Sequence, residues 1–420
     1  MFKFIHAADI HLDSPLHKLD AYEGAPKDEI RQASRRAFDN LVRTAIVERV
    51  DFVLIAGDLY DGDWKDYNTG LHLVSQTAKL REAGIPVYIV AGNHDAASKI
   101  TKKLKLPENV HLFPANKPET FTIDEVNVAI HGQSFATPAI KNDLSNNYPG
   151  PLSGHFNIGV LHTCASGREG HEPYAPCSLE GLGAKAYNYW ALGHVHQYEI
   201  LLDDPLVIFS GCIQGRHIRE IGPKGCVLVT VDDKGHPEPE FRPLDVIRWV
   251  IAEVDASGAE SAYDVVDCVG RQIEKLVAQN EGLPLVARVI IKGETPAHLE
   301  LMTNVEHWCN EIRSAAIDSG GQVWVEKIKF HTTLPASEQD LHKDDGAIGE
   351  LVSLFDEMSS NADMVHALAD EFSDIEKKIP KELKGNPDSL KFDDFDWLSE
   401  ILQQVRPLLL QRLMRKGVAE

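Results

Sequence analysis

Phe2-Lys3-Phe4-Ile5-His6-Ala7-Ala8 runs apolar and is followed at once by Asp9-Ile10-His11, a carboxylate and an imidazole two residues apart. The same pattern returns four times. Phe52-Val53-Leu54-Ile55-Ala56 stops at Gly57-Asp58, and Val87-Tyr88-Ile89-Val90-Ala91 stops at Gly92-Asn93-His94-Asp95. Ile158-Gly159-Val160-Leu161 stops at His162, and Tyr189-Trp190-Ala191-Leu192 at Gly193-His194-Val195-His196. Short apolar runs between polar or glycine-rich segments read as buried strands, and in open α/β sheets ligands gather beyond the carboxyl ends of the strands. One cluster of carboxylates, imidazoles and an amide is therefore expected in space.

The residue types suit metal ions. Asp9 and His11 can both turn toward one ion, and Asp58, with two carboxylate oxygens, can bridge two. Asn93 offers a neutral oxygen, and His162, His194 and His196 offer ring nitrogens. Mixed oxygen and nitrogen ligands without thiolates suit Mn²⁺, Fe or Zn²⁺ better than Ca²⁺ or a structural zinc. Two such ions, ~3.5–4 Å apart, activate water and clamp both oxygens of a phosphoryl displacement. Singly each signal is weak: Asp-x-His arises by chance, a lone His162 is more often structural, and Gly-Asn-His-Asp or Gly-Asp also reads as a turn or an N-cap. The ordered conjunction at five strand ends outweighs those readings.

Around these strands, Met1 to about Pro243 alternates strand with helix, which favours a sheet flanked by helices. Helices are expected at Glu29–Arg49, with Asp28 as N-cap and Ile30, Ala33, Ala37, Leu41 and Ala45 on one face, and at Tyr67–Ala83. From about Asp245 to Leu334 a small α+β unit is expected. Its strands are Trp249–Val254, Leu285–Ile291 and Val323–Phe330, and its helices Ala262–Gln279 and Val305–Ile317. It shows no ligand-type cluster, so shaping or binding is its expected role. Beyond Pro335 the chain turns acidic and helical and breaks near Gly385-Asn386-Pro387. Phe395–Leu413 follows, an apolar stripe kinked at Pro407 that either packs on its own domain or docks a partner.

At 420 residues two or three domains are the prior, and 43% hydrophobic with 25% charged residues is ordinary for a globular protein. Cys164, Cys177, Cys212, Cys226, Cys268 and Cys309 show no close pairing, so reduced thiols are expected rather than a zinc knuckle or a disulfide framework. The N-terminus enters a strand-like run without the pattern of a signal peptide, and no apolar run approaches the ~20 residues that span a bilayer. A cytoplasmic protein without membrane association is expected. The net charge of −22 weighs against strong independent binding to nucleic acid, whose phosphates are met mainly by Lys and Arg.

The ordered set Asp-x-His, Gly-Asp-x-x-Asp, Gly-Asn-His-Asp, His, Gly-His-x-His resembles the calcineurin-like metallophosphoesterases over about Met1–Pro243. The resemblance implies a two-sheet sandwich flanked by helices. It implies a first metal at Asp9, His11, Asp58 and His196, and a second at Asp58, Asn93, His162 and His194, with manganese as the expected ion of both. His94 would be no ligand, but would protonate the leaving oxygen or stabilise the charged transition state. Ala7–Asp13, Ala56–Asp61, Ala191–His196 and Ser210–His217 look most like the SbcD and YhaO type of DNA repair exonuclease. That likeness implies a nuclease domain at 1–243, a capping domain at 244–334, and an acidic helical region at 335–420 placed where the group binds an SbcC/Rad50-like coiled-coil ATPase. A homodimer is within the same expectation. Some relatives carry His where this chain has Asp61; Asp61 and Arg216 are candidate substrate contacts, Arg216 through its bidentate fork, though Arg216 reads equally as a surface residue of a post-strand loop. Lys99, Lys102, Lys103 and Lys105 offer either a local basic edge or a solvated helix face. His6, His17, His72, His131, His171 and His217 have no assigned role.

Three functions stay in view. The first is a two-metal DNA exonuclease or endonuclease acting in repair. The second keeps the metals and changes the substrate to a small phosphodiester, nucleotide or phosphoprotein. The third is a non-catalytic adaptor, against which the intact ligand set argues.

Overall fold

The computed structural model describes residues 1–14, 29, 32–61, 67–97, 105–165, 174–334 and 347–361, with 364, 365, 367, 394, 395, 397–402 and 405 beyond them. Asp28, His17, His171, Lys99, Lys102, Lys103 and Pro407 lie outside the described residues. Two compact units are present: Met1–Ile251 with Glu281–Ala287, and Ala252–Asn280 with Arg288–Glu420.

The first unit begins with β1 (Phe2–Ala7), α1 (Ala33–Glu48), β2 (Phe52–Ala56), α2 (Tyr67–Glu82), β3 (Val87–Val90), the short α3 (Asn93–Ala97) and β4 (Val110–Leu112). There follow β5 (Glu119–Ile123), β6 (Val128–Gly132), β7 (Phe156–His162), α4 (Leu179–Ala184), β8 (Tyr189–Gly193), β9 (Glu199–Asp203), β10 (Leu206–Phe209), β11 (Gly225–Val231) and β12 (Pro237–Pro243). They form two six-stranded sheets, ordered β12-β11-β1-β2-β3-β4 and β5-β6-β7-β8-β10-β9. β1, β2, β3 and β4 run parallel, as do β6, β7, β8 and β10, so the ends that carry ligand-type residues point the same way within each sheet.

Both faces of the inner strands are buried, which is why their sequences read as continuous apolar runs rather than alternating ones. In β1, Ile5 and Ala7 join a core with Phe38, Leu41 and Leu73 from α1 and α2. Phe2 and Phe4 turn the other way, into a core shared by the two sheets with Phe52, Leu54, Val128, Ile158 and Tyr189. Phe4 and Phe52 stack with centroids 5.0 Å apart, and Tyr189 meets Phe4 edge-on at 5.2 Å. The sandwich expected from the sequence is present.

Expected elements shift mainly at their ends. α1 starts at Ala33 after Gln32 and stops at Arg49, whose left-handed φ of 52° closes the helix with N–H bonds to Ala45 and Ile46 carbonyls. In the second unit, α5 (Ala262–Gln279) begins with a capping box of Ser261 and Asp264. A short helix not read from the sequence, α6 (His298–Thr303), precedes α7 (Val305–Asp318). A third sheet comprises β13 (Arg248–Asp255), β14 (Leu285–Glu294) and β15 (Val323–Thr333), ordered β13-β14-β15. Farther on, α8 (Ala347–Ser360) places Phe355 in a small cluster with Val365, Leu398 and Leu402. Part of the apolar stripe expected at Phe395–Leu413 is thus spent inside its own region; the remainder lies outside the described residues. No helix among the described residues is long and apolar enough to cross a membrane.

Candidate metal centre

The loops leaving β1, β2, β3, β7 and β8 converge. Asp9 N–H bonds the Gly57 carbonyl and His11 N–H the Asp58 carbonyl, both at 3.0 Å, so the first two loops stay paired past their strands. The backbone is bent hard here: Asp9, His11 and Asp58 have φ of 49°, 46° and 51°, and His194 of 105°. Left-handed conformation at non-glycine residues costs of order 1–3 kcal/mol each and persists where the surroundings over-determine it. Glycines permit the closest approaches. A Cβ at Gly92 would stand 2.3 Å from Asp58 Oδ1, and one at Gly193 1.9 Å from the Ala56 carbonyl oxygen.

Asp95 supplies much of that over-determination. Its buried carboxylate accepts N–H groups of Gly92 (3.0 Å), Leu59 (3.1 Å) and Tyr60 (2.9 Å), tying the β2 and β3 loops together. Burial, with Asp58 adding to it, raises Asp95 to about 6.

Among the described residues, ligand atoms of Asp9, His11 and His196 fall within 4.8 Å of one another, as do those of Asp9, Asp58 and His162. His162 Nε2 is 2.9 Å from Asn93 Oδ1 and 3.4 Å from Asp58 Oδ2. The His194 ring packs edge-on against that of His162, centroids 5.2 Å apart, and its backbone N–H donates to Asp9 at 3.0 Å. All seven sequence-proposed ligands, Asp9, His11, Asp58, Asn93, His162, His194 and His196, are therefore gathered at one place.

The polar bookkeeping fits positively charged occupants. Both ring nitrogens of His11 are buried with no hydrogen-bond partner. His162 donates Nδ1–H to the Ala56 carbonyl at 3.0 Å, which leaves its Nε2 lone pair facing two oxygen acceptors. Such a face is satisfied only by a cation or an added proton. Burial opposes that proton, yet Asp58 and Asp9 push His162 up to about 9. The carboxylates of Asp61 and Asp58 stand farther from His11, at 3.8 and 3.9 Å, and burial with Arg216 nearby drives it well below the usual range.

His94 stands at the edge, its side chain 39% exposed where His11 and Asp58 are nearly closed off. Its Nδ1 pairs with Asp61 Oδ1 at 2.8 Å, and its backbone N–H donates to Asp58 Oδ1 at 2.9 Å. The Asp61 bond raises His94 above the ordinary histidine value. Asp61 thus backs His94, and its second oxygen accepts the Ser14 hydroxyl at 2.5 Å. Arg216 lies between groups, NH1 at 3.4 Å from Ser14 Oγ and 3.6 Å from Asp61 Oδ2, with Nε buried and unpartnered.

Of the unassigned histidines, His6 bonds Tyr189 OH and the Leu192 carbonyl, and His131 bonds Thr120 and Asn157, both structural roles. His72 lies 3.1 Å from Asp39, and His217 is 52% exposed. Sequence reasoning missed Glu220, Ser14 and Asp95. For Asp95 the Gly-Asn-His-Asp tetrapeptide was a signal; for the other two no spacing was.

A fold of two stacked sheets with these residues at its strand ends is that of a phosphoester hydrolase with a dimetal centre. A family model described as calcineurin-like phosphoesterase matches residues 2–198, and the chain belongs to that metallophosphoesterase family. A second model, the middle domain of metallophosphoesterase YhaO, matches residues 249–333. The chain is 35% identical to the uncharacterized metallophosphoesterase YhaO of Bacillus subtilis over 70% of its own length and 73% of that protein. It is 28% identical to the DNA double-strand break repair protein Mre11 of Sulfurisphaera tokodaii, over 46% of this chain and 49% of the relative. It is 25% identical to a component of the nuclease SbcCD of Staphylococcus saprophyticus, over 59% of this chain and 71% of the relative.

Proposed function

We propose that this phosphoester hydrolase is a cytoplasmic DNA phosphodiesterase, cutting from ends or internally, that works in repair with an SbcC/Rad50-like coiled-coil ATPase. The observation that carries the catalytic part is the convergence of Asp9, Asp58, His11, His162 and His196 beside an accessible His94 backed by Asp61. The nucleic-acid part is supported by the likeness to the break-repair and SbcCD relatives. Residues 1–243 carry the chemistry, 244–334 the cap, and 335–420 the partner contact.

Asp9, His11, Asp58 and His196 would hold one divalent ion, and Asp58, Asn93, His162 and His194 a second; manganese is the proposed metal. When bound, the two ions supply Lewis acidity toward the phosphate and lower the pKa of water. His94 holds a proton on Nε2 while Asp61 takes Nδ1–H, and it delivers that proton to the leaving oxygen. Arg216, 3.6 Å from Asp61, would bring its positive charge to bear on a non-bridging phosphate oxygen. Asp95 and the strained loops keep the ligands in place before substrate arrives.

The test is cleavage of end-labelled duplex and single-stranded DNA with Mn²⁺, with and without the ATPase, beside an aryl phosphodiester. Metal-dependent degradation of DNA is the expected result. The net charge of −22 favours a second reading, a small phosphodiester substrate, and turnover of the aryl ester without any DNA cleavage in either condition decides for it.

A further inference from the structure

The stretch Ser210–Gly225, which carries the buried carboxylate of Glu220, lies between the two matched family models. Glu220 is 4% exposed. One of its oxygens meets His196 Nδ1 at 2.6 Å, and the other accepts the Arg216 backbone N–H at 2.6 Å. The first oxygen also lies 3.3 Å from the Arg216 guanidinium and 3.4 Å from His217 Nε2. Hydrogen bonds from His196 and the charge of Arg216 overcome burial and hold Glu220 well below the usual carboxylate range.

The short contact decides which ring nitrogen of His196 carries the proton. Arg216 NH2, a donor only, is 3.3 Å from the same Nδ1. Were Nδ1 its acceptor, the Glu220 oxygen at 2.6 Å would face a lone pair, an acceptor against an acceptor. The proton therefore sits on Nδ1 and points at Glu220, and the Nε2 lone pair faces the site, 3.7 Å from Asp9 Oδ1. The same stretch holds the backbone beneath. Lys224, 3% exposed, donates Nζ–H to the His196 carbonyl at 3.1 Å and to Gln197 Oε1 at 3.3 Å. Gly211, at φ 74°, passes so close that a Cβ would stand 2.9 Å from Tyr198 N.

We propose that Glu220 is a positioning residue: it fixes His196 as the Nδ1–H tautomer with Nε2 presented to the first ion, and by its other oxygen holds Arg216 in register with that ligand. The proposal rests on the two-ion reading above. Carboxylates behind a metal-binding imidazole set its tautomer and orientation, and their loss weakens metal binding about 10–100-fold.

The experiment is calorimetric titration of the full chain with Mn²⁺ alone, wild type against Glu220→Gln, with metal-free melting curves and ¹⁵N chemical shifts of the histidine rings. The expected result is two ions bound by wild type and, in Glu220→Gln, one affinity lowered about 10–100-fold with the other within about twofold. The His196 ring should also lose its fixed tautomer. If Glu220→Gln does not fold, Glu220→Asp keeps the charge with a shorter reach and is expected to weaken the same single ion. Two unchanged affinities, or two that fall together with the melting temperature, overturn the proposal and leave Glu220 a structural residue. A wild-type chain binding fewer than two ions overturns the two-ion reading, and this inference with it.

Discussion

Replacing Gly57 by alanine tests whether the ligand loops are set by steric closure. Gly57 has φ 97°, and a Cβ there would stand 2.2 Å from His162 Nδ1 and 2.6 Å from its Cγ. The ring cannot retreat, because His162 is fully buried and its Nδ1–H is bound to the Ala56 carbonyl at 3.0 Å. Left-handed backbone at alanine costs about 1–3 kcal/mol. Forcing a methyl into a packed interior costs about 1–3 kcal/mol more. The sum, about 2–6 kcal/mol, corresponds at ~2–4 °C per kcal/mol to a melting temperature lowered by about 4–24 °C. Displacing His162 should also weaken the ion held with Asn93 by at least about tenfold, read by Mn²⁺ titration below the melting range. Gly150→Ala is the control, since nothing lies within 4 Å of a Cβ there. A Gly57→Ala chain that melts and binds Mn²⁺ as Gly150→Ala does would refute the reasoning.

Other perturbations separate chemistry from architecture. His94→Ala should lower turnover about 10²–10⁴-fold while metal content by elemental analysis stays at the wild-type value; loss of both metals would contradict the role given to His94. Asp61→Asn removes a charge-assisted bond of about 1.5–3 kcal/mol from His94, so kcat should fall roughly 10–100-fold with both ions retained. Chelation should lower the melting temperature and Mn²⁺ restore it, by about 2.7 kcal/mol for each ion at a hundredfold excess over its Kd. His6 gives the expected pH dependence. Burial lowers it from 6.5 to about 3, so between those values the unfolded chain binds the extra proton. Its contribution is whole above pH 6.5 and declines on acidification by about 1.4 kcal/mol per pH unit. Urea unfolding of His6→Gln from about pH 6.5 to about pH 4.5 should show a flatter slope than wild type, and equal slopes would count against the assignment.

The strand ends were legible because each buried run had to be apolar on both faces and each then broke at a residue that no core accepts unpartnered. β1, β2, β3, β7 and β8 gave themselves away in that manner. β12 did not: Pro237-Glu238-Pro239-Glu240-Phe241 reads against a strand, and it is tolerated because β12 is an edge that needs bonds on one side only. Where α1 begins is less legible than where it faces, because the periodicity of Ala33, Ala37 and Leu41 marks the apolar face but not where the first hydrogen bond closes. Glu220 was invisible for a different reason. Its partner His196 lies 24 residues away, and only the return of the chain through β10 and Gly211 brings the two together. The pairing of Asp61 with His94 was not legible either, since its spacing from Asp58 says nothing about His94 reaching back from another strand.

The Asp95 clamp has a consequence for the ions themselves. Three amide donors and a buried carboxylate close the cradle from protein atoms alone. The loops that carry Asp58 and Asn93 are thereby tied to each other through Asp95 and not only through whatever they hold, unlike small domains that are unfolded until zinc arrives. Exchange of one divalent ion for another is then expected to change the element bound while leaving the fold's melting transition cooperative.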